Sequence, residues 1–96
     1  MSFAILVMSA CGGAAAADLH AAFASIEVDE ARIEHAASAL ETAADEGARR
    51  GHREQVCGAS AHLCDTARPL DDRDANTRCR HAEERCARAS AETSTP

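Results

Sequence analysis

Large apolar residues recur at a seven-residue interval along the first half of the chain, at Leu19, Ile26, Ile33 and Leu40. Ala22, Phe23, Ala36, Ala37, Ala43 and Ala44 fill neighbouring positions. This period puts the big side chains on one narrow stripe, as in a coiled-coil seam, and predicts a single helix from residue 15 to about 47. Asp29 and Glu30 interrupt the seam midway, at its flanking positions. Gly47 and Gly51 bracket Ala48, Arg49 and Arg50 and predict a C-cap and turn. A second helix is expected from about His52 to Ala67, because Pro69 bars simple continuation. The connection is then Arg68 to Asp72, and one of Asp71, Asp72 or Asp74 would cap a third helix reaching about Ala91. No stretch alternates with the period of a strand.

The second half has few large apolar residues but holds a repeated cysteine spacing. Cys57 and Cys64 are seven apart, and so are Cys79 and Cys86. On a helix such residues share a face but stand about 10.5 Å apart along the axis. A disulfide needs Cα atoms within roughly 7 Å, so neither pair can close within its own helix. An antiparallel hairpin brings together residues whose numbers have a constant sum. Cys57 with Cys86 and Cys64 with Cys79 share the sum 143, so two rungs close in register around one turn. The crossed pairing would need parallel helices on too short a link.

Small residues beside the cysteines suit such a close approach: Gly58, Ser60, Ala61 and Ala67 on one helix, Ala75, Ala82 and Ala89 on the other. Val56 and Leu63 form an apolar stripe next to the cysteines, onto which the first helix could fold. The predicted class is therefore all-α: a long N-terminal helix followed by a disulfide-laddered antiparallel hairpin. The first helix either completes a three-helix bundle or stays extended, with its seam of Leu19, Ile26, Ile33 and Leu40 open to another chain. The helical domain is placed at 18–91, its hairpin at 52–91, and a disordered tail at 92–96.

Composition explains why cross-links are needed. About a quarter of the chain is Ala, and there is no Trp, Tyr or Lys among the 96 residues. Leu, Ile, Val and Phe together fall below the roughly 20% at which a charged chain becomes a candidate for disorder. Domains this small and poor in core residues are usually held by disulfides, a metal or a partner. The net charge of −6 is uneven, with the acidic excess in the first half and nearly all Arg in the second. Those Arg are interleaved with acids, which marks a solvated helix face rather than a nucleic-acid surface.

The N-terminal segment is apolar from Phe3 to Met8 and then small up to Cys11. Met8-Ser9-Ala10-Cys11 resembles the lipobox of bacterial lipoproteins, in which the cysteine is diacylated and becomes the mature N-terminus. The run lacks a preceding Lys or Arg and is shorter than the roughly 7–15 residues of an ordinary signal h-region. The resemblance implies a signal-like segment at 1–10 and a lipidated Cys11 on a small-residue tether at 11–17. Gly12, rather than Asp, after Cys11 resembles the sorting pattern for the outer membrane, facing the periplasm. Lipidation of Cys11 leaves four cysteines, an even number, in an oxidising compartment.

The hairpin at 57–86 resembles in plan the twin-cysteine hairpins of the coiled-coil-helix-coiled-coil-helix family, although its six-residue spacing departs from theirs. The whole pattern looks like that of small bacterial lipoproteins, and the heptad helix is comparable to that of the murein lipoproteins. The lysine through which that family joins peptidoglycan has no counterpart in a chain without Lys.

No catalytic pattern emerges. A thiol-exchange enzyme would show C-x-x-C, and a Cys/His pair would need a cleft and a lowered thiol pKa. Cysteines seven apart cannot share one zinc ion. His62 and His81 sit about 200° around their helices from the nearest cysteines, as expected of solvated histidines. Four reduced thiols in two facing pairs would suit soft ions such as Cu(I), which makes a periplasmic thiol/His copper binder the alternative. Glu27, Glu34 and Glu41 form a row on a solvated helix face. The expectation is a membrane-tethered, non-enzymatic structural or protein-interaction module without cofactor. It would bind a protein partner or itself through the first helix, and no nucleic acid.

Overall fold

The computed structural model describes residues 2–94, with side chains described for 17–91. The signal-like segment, Cys11, most of the tether and the 92–96 tail lie outside the residues whose side chains are described. Three helices occur in order: α1 (Ser2–Thr42), α2 (Glu46–Ala67) and α3 (Arg73–Ser94), with a 3₁₀ turn at Arg68–Leu70. The fold is all-α, with α2 antiparallel to both neighbours and covalently bonded to α3. None of the described helices is long and apolar enough to cross a membrane.

The α1–α2 break falls earlier than the glycines suggested. It lies at 43–45, and Gly47 belongs to the first turn of α2. Asp45 decides the position: its backbone is extended (φ −123°, ψ 162°), and its Oδ1 accepts from the Ala48 N–H at 2.8 Å. This N-cap satisfies a donor that the helix start would otherwise leave unpaired. On the other side, the Ala43 carbonyl accepts from Arg49 Nε at 3.3 Å, which ties the loop to α2. Gly51 and Gly58 are ordinary helical positions in α2.

The second turn matches its prediction closely. Pro69 lies in the 3₁₀ segment, and Asp71 takes the left-handed conformation (φ 49°), which Asp tolerates better than most residues. Of the three candidate caps, Asp72 serves: its Oδ1 accepts from the Ala75 N–H at 3.0 Å.

Ile26, Ile33 and Leu40 from α1 meet Val56 and Leu63 from α2 in one buried cluster, completed by Ala36, Ala67, Ala75, Ala82 and Ala89. Helix α3 contributes only Ala and Cys to it, in a four–three rhythm at 75, 79, 82, 86 and 89. Leu19 departs from the predicted seam, being 43% exposed. Its heptad phase is right, but α1 is 41 residues long and α2 only 22. Leu19 therefore lies beyond the end of α2, where there is nothing to cover it. The seam folds inward from residue 23 onward, so the three-helix alternative holds there.

Candidate functional site

Each pair of helices is joined by a different kind of interaction. Between α2 and α3 the join is covalent: Cys57–Cys86 and Cys64–Cys79 are disulfide-bonded, with Cα atoms 4.7 and 4.8 Å apart. Such separations leave no room for large side chains between the helices. Ser60, Ala67, Ala75 and Ala82 are buried around the rungs. Outside the ladder, Arg68 of the 3₁₀ turn reaches Glu83 of α3 at 3.3 Å.

Between α1 and α3 the join is ionic. Arg78 Nη1 lies 3.0 Å from Glu30, and Arg85 Nη1 lies 3.1 Å from Glu34. The Arg78 guanidinium also sits over the Phe23 ring, 5.5 Å from its centroid, a cation–π geometry. Partial burial pulls the Arg78 pKa down, but the carboxylates of Glu30, Asp74 and Glu27 outweigh it and hold the pKa above its usual value. These arginines thus connect helices as well as facing water. The spacing of charges within α3 carried no sign of this, since the partners are on α1.

Between α1 and α2 the join is apolar except at one point. Asp29 is 1% exposed, and its Oδ2 lies 2.6 Å from Nδ1 of His62 on α2. A carboxylate can only accept, so the His62 ring donates through Nδ1–H. Arg32 Nη1 approaches the other carboxylate oxygen at 3.8 Å from a largely exposed position. Asp29 is therefore part of the packed seam rather than an interruption of it. Its positions 26, 29, 33, 36 and 40 follow an unbroken three–four rhythm of buried residues. His62 is not simply a solvated histidine: its ring is mostly exposed, but one nitrogen is committed to a buried acid. No buried side-chain nitrogen or oxygen among the described residues lacks a hydrogen-bond partner.

No family model matches the chain, and no curated protein or solved structure matches it either. Its chemistry must be read from its own residues. Cys64, Cys79 and Glu83 place two sulfurs and a carboxylate oxygen within 4.8 Å of one another. In the oxidised ladder those sulfurs are bonded to each other and offer no thiolate, so the group can bind a soft ion only after reduction. His81 is exposed on α3, and Glu27, Glu34 and Glu41 are exposed on α1, where Glu34 reaches across to Arg85 of α3. Among the described residues, the site residues brought together are the four hairpin cysteines and the five seam residues Ile26, Ile33, Leu40, Val56 and Leu63. They make a disulfide-cross-linked hairpin packed on the seam of α1.

Proposed function

We propose that the chain is a membrane-tethered cell-envelope lipoprotein that acts, without catalysis, as a small helical structural or protein-interaction module. The observation that carries this reading is the two-rung ladder, over a small core to which α3 contributes only Ala and Cys. Such a fold depends on its disulfides, and stable disulfides belong to an oxidising compartment such as the bacterial periplasm. The fifth cysteine, Cys11, has no partner in that ladder and follows the apolar run Phe3–Met8 and the small pair Ser9-Ala10. Lipidation gives it a use, and Gly12 after it favours the outer membrane.

The intact mass of protein from the membrane fraction tests the reading in one measurement. Cleavage before Cys11, a diacylglycerol-modified cysteine and four hydrogens missing from the remaining thiols are expected together. Cys11→Ala should leave an uncleaved precursor and abolish labelling by a fatty-acid analogue; persistent labelling would overturn the anchor.

The copper-binding alternative draws on the Cys64, Cys79 and Glu83 cluster. It requires the ladder to be open in the native compartment. Four free thiols and stoichiometric copper in protein isolated under thiol-trapping conditions would favour it over the scaffold.

A further inference from the structure

The outer face of α1 carries a second heptad pattern that the bundle leaves unused. Ala24, Val28, Ala31 and His35 follow a four–three–four spacing, and all are exposed, Val28 to 52%. Next to them runs a groove of about 800 Å³ between α1 and α2, walled by Val28, Ala31 and Ala36 on one side and by Gly58 and Ala59 on the other.

We propose that this face pairs α1 with α1 of a second copy of the chain, the two helices running parallel and in register. Charge selects both the partner and the direction. With Val28 and His35 as one seam set and Ala24 and Ala31 as the other, Glu27 lies on one edge of the stripe and Arg32 on the opposite edge, five residues on. In a parallel two-stranded coiled coil, flanking residues with this relation face each other across the seam. Glu27 of each copy therefore meets Arg32 of the other, twice by symmetry. Arg32 is the sole Arg in residues 1–48, and its side chain is 69% exposed, held only by a 3.8 Å approach to Asp29. An antiparallel pair would instead set the row Glu27, Glu34 and Glu41 against its own copy, like charge on like. The inward contacts of α1 use Ile26, Ile33 and Leu40, so pairing does not compete with the bundle.

A parallel pair brings both N-termini to the same end, as two chains anchored in one membrane require. The inference deepens the interaction-module reading and rests on it only for its setting. The full-length Cys11→Ala chain separates the two, because it can pair without a lipid. Sedimentation equilibrium over a range of concentrations should show its mass rising from one chain to two. Val28→Arg should hold it at one. Glu27→Arg and Arg32→Glu should each raise the dimer Kd roughly tenfold, since two symmetric flanking pairs turn repulsive. The double reversal should restore it. Circular dichroism of each variant reports whether the bundle is intact, and Val28 and Glu27 are both exposed positions outside its core.

A single-chain mass at every concentration would overturn the pairing. So would a dimer indifferent to Val28→Arg, or one weakened by both single reversals and not rescued by the double. A dimer of this kind in a chain whose Cys11 proves unmodified in cells would remove the anchor and leave the pairing in place.

Discussion

Removing the His62 ring should cost more stability than its exposed position suggests. Its partner Asp29 has a side chain only 2% exposed, and the His62 Nδ1–H is its one close donor, at 2.6 Å. Arg32, at 3.8 Å, is too distant for a hydrogen bond and sits largely in solvent. His62→Ala therefore leaves a carboxylate in the seam with only a solvated cation nearby. A hydrogen bond to a charged group contributes roughly 1.5–3 kcal/mol, and a buried group left unpaired costs a similar amount. Water can follow the lost ring, because the ring itself was mostly solvated, so the lower part of the range applies. A loss of about 2 kcal/mol is expected.

Adding Asp29→Leu to His62→Ala removes the orphaned charge too. It should recover most of that loss or exceed it, since replacing both partners of a hydrogen bond by apolar groups is often neutral or stabilising. Urea unfolding followed at 222 nm at neutral pH, with unchanged m-values, measures both. A single-variant loss below about 0.5 kcal/mol would show that the pair is incidental, because that is the scatter of ordinary surface substitutions. A double variant less stable than His62→Ala would show that Asp29 has a role in the seam other than as partner to His62.

Reduction of the ladder should melt residues 52–91. On chain-entropy grounds the inner rung alone, closing a separation of 15 residues, contributes roughly 3 kcal/mol. Non-reducing peptide mapping should return Cys57 linked to Cys86 and Cys64 linked to Cys79, and retention of full helicity in excess thiol would refute the dependence. Gly51→Ala should stabilise α2 by about 0.5–1 kcal/mol, because its new Cβ meets nothing within 4 Å. Gly47→Ala should gain less, since there the Cβ would crowd the capping Asp45 Oδ1 at 3.3 Å; comparison of the two urea midpoints checks this.

The ladder was legible because covalent geometry is strict. Two pairs seven apart, a short turn with Pro69 and a shared sum left one hairpin register. The direction of the seam was legible for the same reason that heptads are: Ile26, Ile33 and Leu40 keep phase over several turns. Three features were hidden. The turn at 43–45 was masked by Gly47 and Gly51, because a helix tolerates glycine, and a single Asp45 cap outweighs it. Leu19 has the right phase but no facing helix, which only the relative lengths of α1 and α2 reveal. The Asp29–His62 pair was hidden because its members are 33 positions apart and each alone resembles a surface residue. A polar residue exactly on an otherwise apolar three–four rhythm was the available signal.

Both covalent rungs join α2 to α3, and neither reaches α1. Tension applied along the chain from its N-terminal end would therefore act very differently on the two halves. It would peel α1 away, breaking side-chain contacts one turn at a time, and then reach Cys57. From there the force passes straight through sulfur to Cys86, bypassing a separation of 29 residues that can neither lengthen nor transmit the pull. A protease cut in the bypassed turn would likewise release no fragment, since the inner rung still spans it. The molecule is thus an extensible arm joined to a knot of fixed length: stretching lengthens only the arm, and a nick in the bypassed turn leaves the knot closed.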